Sequence, residues 1–337
     1  MFLFLFGCTT TNNQSLDDKK DDSQPIPITS RATQIDQHQQ DVVRFIAMGD
    51  GGEGNDAQYK NAASIAKICE VKTDIYPGCS FALYLGDNFY DEGVEGIDDQ
   101  QFQDKFERPY ANLDFPFYAV LGNHDYGGCV GSRCGTGWDF NKANAQIEYT
   151  KKSTKWNMPA AYYDFIEDHV HFFALDTNAI LWDPWLGTAN KQPSWLAAQL
   201  VSSKATWKIV FGHHPYISNG RHGNAGSYEG LNWSGPILPV PAGIAIKNLF
   251  DDHICQHADL YLSGHDHNRQ WLYPTCNTEF IVSGAAAKTT PLASKQNNTR
   301  FQTASIGFLW VEIVDNCLRG EFYDHNGKMD FTHEVCK

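Results

Sequence analysis

The sequence predicts a single α/β domain beginning near residue 41, and three observations predict it. Short β-rich runs recur along the chain, and between several of them lie stretches with helix-forming composition and helical apolar spacing. Such alternation is the mark of a layered α/β architecture. Residues 9–40 are polar, carry prolines at 25 and 27 and show no apolar period, so they read as a disordered tether ahead of the fold. From 41 to 337 there is no second linker and no internal repeat, which makes one domain the simplest partition. With 42% hydrophobic and 13% aromatic residues, that domain can bury a sizeable core.

Strands are expected at 42–48, 81–85, 117–121, 161–166, 171–175, 207–211, 260–262, 280–282, 307–314 and 318–323, where β-branched, aromatic and aliphatic residues cluster between turn formers. Helices are expected at 56–69, where Ala62, Ile65, Ala66 and Ile68 mark an apolar face, and at 98–106, 141–151, 194–202 and 244–255.

The 26 basic and 40 acidic side chains leave a net charge of −14. No basic face is available to release counterions from phosphates, so nucleic acid is excluded as a partner. Attraction of any anionic substrate must come from local cations, and bound metals are the strongest candidates. Cys8 stands apart from the other eight cysteines: 69, 79, 129, 134, 255, 276, 317 and 336. Their even number and the absence of a CxxC pair point to up to four disulfides in an oxidising compartment, with the connectivity open. Phe2 to Phe6 are apolar, and Leu5-Phe6-Gly7-Cys8 resembles the end of a lipoprotein signal. Residues 1–8 are therefore expected to be a signal remnant, with a lipidated Cys8 tethering an exported protein of the periplasm or cell envelope.

Five times a hydrophobic strand runs into a short polar motif that contains glycine: Gly49-Asp50-Gly51-Gly52, Gly86-Asp87-Asn88-Phe89-Tyr90, Gly122-Asn123-His124-Asp125, Gly212-His213-His214-Pro215 and Gly264-His265-Asp266-His267. The glycine permits a sharp turn and a close approach to a ligand. The side chain after the strand then points into a crevice at the sheet's carboxyl edge. Asp, Asn, His and Tyr supply oxygen and nitrogen donors for metals of intermediate softness, enough for two ions if the ends converge, with a carboxylate such as Asp87 between them. One such motif is usually a turn or a capped strand end; five in succession are not coincidence.

The ordered set GDGG, GDNFY, GNHD, GHHP and GHDH resembles the purple acid phosphatases, within the calcineurin-like metallophosphoesterases, and is most similar to their small tartrate-resistant branch. GDNFYDEGV at 86–94, WNMP at 156–159, LDT at 175–177, SWL at 194–196 and GHDHN at 264–268 extend the likeness over about residues 42 to 325. The resemblance implies two mixed β-sheets packed as a sandwich, flanked by helices, with a dimetal site at the carboxyl edge of the strands. It implies a ferric ion on Asp50, Tyr90 and His267, a divalent iron, zinc or manganese on Asn123, His213 and His265, and Asp87 bridging the two. His214 would be a neighbour and not a ligand. His124 and His222 match histidines that contact the phosphate or leaving group, the latter in a glycine-rich loop, 218–226, suited to a mobile site wall. The implied activity is hydrolysis of small phosphate monoesters in mild acid, with metal-bound hydroxide as nucleophile and His222 or His124 assisting departure. A monomer is expected.

Three other readings compete: a phosphodiesterase or nucleotide pyrophosphatase on the same metals, a non-catalytic surface binding protein, and a redox protein using the iron. His253 and His257, spaced i, i+4, read as a solvated helix end, and His169 and His171 as packing or surface residues. Asn232 and Asn297 head matches to glycosylation acceptors, which on the lipoprotein reading are chance. Trp182, Trp185, Tyr216, Tyr228 and Trp233 flank the motif loops as candidate walls of an aromatic pocket, with ordinary packing as the alternative. The segment between Leu175 and Ser194 is shorter than the cleavable loop of the family branch.

Overall fold

Along Val42–Met48, Val43, Phe45 and Ala47 alternate with Arg44, Ile46 and Met48, and all six side chains are buried. A strand covered on both faces belongs in the middle of a layered fold. The computed structural model, which describes residues 28–29, 41–130, 133–187, 189–230, 242–293 and 296–337, places it there. Across the first sheet the order is Met329–Cys336, Cys317–Asp324, Gly307–Val314, Val42–Met48, Phe81–Tyr84, Phe117–Ala119 and Trp156–Asn157. The last four are parallel and the others pair antiparallel. The second sheet runs Ile28–Thr29, Tyr163–Glu167, Val170–Ala174, Trp207–Phe211, Leu260–Ser263, Glu279–Ser283, Arg269–Leu272 and Thr299–Thr303. Its four central strands, from Val170–Ala174 to Glu279–Ser283, are parallel. This is the expected sandwich of two mixed sheets.

Aromatic side chains fill the space between the sheets. Phe45, Phe81 and Tyr118 from the first meet Phe165 and Phe172 from the second, with Phe81–Phe172 centroids 5.3 Å apart and Tyr118–Phe165 stacked at 3.8 Å. Each such pair adds roughly 0.5–1.5 kcal/mol beyond the area it buries. At the carboxyl edge the sheets are also joined by backbone: Gly49 N–H donates to Ser283 O at 2.8 Å, and Ala286 N–H donates to Gly49 O at 3.2 Å. The helix Asp56–Val71, whose first turn is capped by the Asn55 side chain accepting from Gln58 N–H, packs against Gly307–Val314. On the outer face of the second sheet, Leu196, Leu249 and Phe250 cover Val210, Tyr261 and Phe280.

Four disulfides take up the eight cysteines: Cys69–Cys79, Cys129–Cys134, Cys255–Cys276 and Cys317–Cys336. Several elements differ from the sequence reading. A helix, Thr177–Leu186, occupies the segment read as a short loop, started by the Asp176 side chain, which accepts from Ala179 N–H. Where a helix was expected at 98–106, turns lead into one wide helical turn, Gln103–Glu107, closed by Arg108 N–H donating to Gln103 O. The helix expected at 244–255 likewise ends at Leu249 and continues as a wide turn, Phe250–Ile254. Strands Arg269–Leu272, Thr299–Thr303 and Met329–Cys336 were not anticipated, nor was the pairing of Ile28–Thr29, inside the predicted tether, with Phe165 and Ile166. The signal remnant, Cys8, Asn232 and Trp233 lie outside the described residues. Among those residues no helix is long and apolar enough to cross a membrane.

Candidate metal centre

Three motif loops leave the first sheet and two leave the second, and all five arrive at one edge. Two of these crossings leave no room for a side chain. A Cβ on Gly122 would stand 2.3 Å from Asp87 Oδ1, and one on Gly264 would stand 2.5 Å from Asp50 Oδ2. Asp50, Asp87 and His265 adopt left-handed backbone conformations, with φ of 60°, 52° and 67°. Strain of this kind costs of order 1–3 kcal/mol per residue and concentrates at functional sites.

The donors form two groups. In one, the Tyr90 hydroxyl oxygen lies 2.9 Å from Asp50 Oδ1, 2.8 Å from Asp87 Oδ2 and 3.1 Å from His267 Nε2. In the other, His213 Nε2 lies 3.1 Å from Asn123 Oδ1, 3.1 Å from His265 Nδ1 and 3.4 Å from Asp87 Oδ1. Asp87 is common to both and turns one oxygen to each. All seven residues named as metal donors from the sequence are therefore brought together.

Neighbouring groups fix how each donor is presented. Leu85 O, 2.9 Å from His213 Nδ1, accepts a hydrogen bond from it and so turns Nε2 toward the cluster. Gly135 O accepts from Asn123 Nδ2 at 2.6 Å, which turns Oδ1 inward. Asp50 Oδ2 accepts from His265 N–H at 2.9 Å. Asp125 accepts from the backbone N–H groups of Asn88, Phe89 and Gly122 and so ties two motif loops together. Burial, and then the charge of Asp87, raise the Asp125 pKa to about 7.

The donor set fits a pair of cations. His213 Nε2 is surrounded by acceptor atoms of Asn123, His265 and Asp87, a position for a proton or a cation, and the single Tyr90 proton serves one of three acceptors. Burial, then Asp50 and Asp87, hold the Tyr90 pKa well above its ordinary value, so phenolate needs a strong cation beside it. Burial alone would lower His213, but Asp87 overrides it and raises the pKa to about 9. Burial alone would raise Asp87, yet His213 and His124 hold it well below the usual carboxylate range. The cluster as folded attracts positive charge. Two other carboxylate–cysteine groups, Glu92 with Cys129 and Cys134, and Glu334 with Cys317 and Cys336, involve disulfide sulfurs and have no thiolate to offer.

Beside the donors opens a cavity of about 610 Å³, lined by His124, His222, Arg221, Trp182, Trp185 and Tyr228 among others. His222 Nδ1 is 2.5 Å from Glu229 Oε1, its backbone N–H donates to Asp266 Oδ1, and its ring centroid lies 4.0 Å from that of His265. Burial would lower its pKa, but Glu229 and Asp266 together raise it. His124 donates its backbone N–H to Asp87 Oδ1, and its Nδ1 lies 2.6 Å from Asp91 O. The loop 218–226, expected as a mobile wall, is instead pinned by a polar network. Ser218 and Asn219 donate backbone N–H to Asn224 Oδ1 and Gln270 Oε1, and Asn297 Nδ2 donates to Ser218 O. Tyr216 leaves the cavity to stack on Phe250. His214 sits behind the donors, its Nδ1 2.8 Å from Thr177 Oγ1. His171 is buried between Asp164 and Ser203, and His257 is exposed. No role was assigned from the sequence to Asp125, Glu229, Asp266 or Lys288; Asp125 and Asp266 stand inside the motifs, but Asn88 and Phe89, and His222, which they hold, lie 36 or more residues away.

The model of the calcineurin-like phosphoesterase family matches residues 43–269. Tartrate-resistant acid phosphatase type 5 of Rattus norvegicus is 30% identical, covering 86% of this chain and 89% of its own length. Purple acid phosphatase 3 of Arabidopsis thaliana is 30% identical over 84% of this chain and 75% of its own. Among solved structures, GAP50, described as the anchor in the inner membrane complex of Plasmodium, superposes with a TM-score of 0.67 at 25% identity, covering 88% of this chain and 89% of its own.

Proposed function

The chain belongs to the calcineurin-like phosphoesterases, in the branch of the tartrate-resistant and purple acid phosphatases, and from that premise we propose that it hydrolyses phosphate monoesters in mild acid on a centre of ferric iron and a divalent iron, zinc or manganese. The observation that carries the reading is the division of Asp87, with Oδ2 2.8 Å from the Tyr90 hydroxyl and Oδ1 3.4 Å from His213 Nε2. Asp50, Tyr90 and His267 would hold the ferric ion, Asn123, His213 and His265 the divalent one, and Asp87 both. When bound, two cations neutralise a phosphate dianion and acidify water enough to provide a nucleophile.

The remaining chemistry belongs to the chain. Leu85 O and Gly135 O keep His213 Nε2 and Asn123 Oδ1 facing inward, so neither side chain has to turn for a metal to take the place of the proton. The departing alkoxide needs a proton. Glu229 engages His222 Nδ1, which leaves Nε2 as the atom that delivers it. His124, with Nδ1 at Asp91 O, holds the other side of the phosphate. Four disulfides support an exported protein, and Cys8 remains the proposed lipid anchor of a monomer in the envelope or periplasm.

The test is a visible spectrum of purified protein with metal analysis of the same sample. A violet band with about one or two irons per chain, abolished in Tyr90→Phe, supports tyrosinate bound to iron. A colourless protein holding two zinc or manganese ions refutes the ferric assignment. Faster turnover of bis-esters than mono-esters moves the activity to a phosphodiesterase. A second reading, a non-catalytic surface binding protein, has its ground in the likeness to GAP50, described as an anchor, and failure to bind two metals would support it.

A further inference from the structure

Lys288 places its ammonium 3.0 Å from the centroid of the Tyr90 ring. It is held there from several sides. Glu53 Oε1 pairs with its Nζ at 2.6 Å, and both side chains are only 27% exposed. Ala287 O accepts from the Asn55 side chain at 3.0 Å. The flanking backbone is tied to two donor loops, since Ala286 N–H donates to Gly49 O and Thr290 N–H donates to His267 O at 2.9 Å. A lysine chosen only for surface charge needs none of these ties.

A cation over an aromatic face is attracted by its π density, more strongly when partly removed from water. A phenolate carries more of that density than a phenol. On the reading of Tyr90 as a ligand to ferric iron, we propose that Lys288 is a positioning residue that weakens the electron donation of Tyr90 to the metal. Glu53, paired with the ammonium at 2.6 Å, reduces this field at the ring. Lys288 lowers the phenolate donor orbital, and the charge-transfer band therefore stands at higher energy than it would without the lysine. By the same field it favours the ferrous over the ferric state.

The experiment compares metal-loaded wild type, Lys288→Met, Lys288→Arg and Tyr90→Phe by visible absorption and by redox titration of the band. The expected result is a band moved to longer wavelength and a lower reduction potential in Lys288→Met, with Lys288→Arg staying near wild type. A Lys288→Met band that does not move, at unchanged metal content, overturns the inference. Equal shifts in Lys288→Met and Lys288→Arg also overturn it, because the cause would then be packing and not charge. A band that survives Tyr90→Phe overturns the ligand reading beneath it, and that outcome is visible without any lysine variant.

Discussion

Removing the Cys129–Cys134 and Cys255–Cys276 disulfides separately should dissociate stability from metal binding. The first closes a sequence separation of 5 residues and the second one of 21, for which loop-closure entropy alone amounts to ~2 and ~3 kcal/mol at 25 °C. By that measure the second is the more damaging loss. The first, however, holds the small hairpin that leads into Gly135, whose carbonyl accepts from Asn123 Nδ2. A Cβ on Gly135 would stand 2.1 Å from the His124 ring, so this backbone cannot drift without disturbing that histidine. Losing the groups that orient a ligand typically weakens metal affinity ~10–100-fold. Cys255–Cys276 instead joins the end of Phe250–Ile254 to a turn beside the outer apolar cluster. The double serine variants are compared by urea denaturation and by competition with a chelator for the weaker metal. The 129/134 variant should lose about 2 kcal/mol of stability and most of its affinity for that metal. The 255/276 variant should lose more stability and keep its affinity. If affinity falls in the same order as stability, the argument from hairpin to Asn123 is refuted.

His222→Ala should retain both metals and lose ~10²–10⁴-fold in kcat on alkyl phosphates, with far less loss on nitrophenyl phosphate, whose leaving group needs no proton. Equal losses on both would remove His222 from the acid role. Glu229 and Asp266 raise the His222 pKa against burial, so the proton donor is present in acid and lost as pH rises through that raised value. Glu229→Gln should therefore move the alkaline limb of the pH–rate profile to lower pH; an unmoved limb assigns it to another group. Trp185, 61% exposed at the cavity wall, should favour flat leaving groups, and Trp185→Ala should cost ~3–10-fold on aryl but not on alkyl phosphates, the size of one aromatic contact. In the metal-free protein His213 is raised to about 9, so its contribution to stability is complete below its ordinary 6.5 and lost as pH rises through 9. Thermal melts with and without chelator should show the benefit of metal growing across that window; a constant difference would contradict the pairing of His213 with Asp87.

Central elements were legible in the sequence where two signals coincide. Val42–Met48 and Trp207–Phe211 are apolar but for Arg44 and Lys208 and run into a glycine, so their bounds and the residues after them could be read directly. Edges were harder. Met329–Cys336 alternates weakly and gains its pairing from Cys317–Asp324 and the disulfide at its end, neither of which a local pattern contains. Thr299–Thr303 is polar, and Arg269–Leu272 follows a donor motif with only four residues of its own. Thr177–Leu186 was obscured by Pro184 in its last turn and by tryptophans that suggested a pocket wall. At the site, the donor positions follow strand ends and could be read. Their supports could not: Asp125 has a local spacing only to Gly122, and its hold on Asn88 and Phe89, like those of Asp266 on His222 and Lys288 on Tyr90, is made by tertiary folding. The expected mobility of 218–226 was inferred from glycine content, and the amides of Asn224, Asn297 and Gln270 overrule it.

The seam between the two sheets has a consequence for how such proteins change over time. Gly49 and Ser283, Gly49 and Ala286, and Gly307 and Ala285 are joined through main-chain atoms, whatever side chains stand nearby. Substitutions that abolish the donors leave these links in place, so a descendant without chemistry would inherit an intact outer surface. Selection could then recruit that surface for adhesion or assembly while turnover decays, and the two properties would be free to evolve apart.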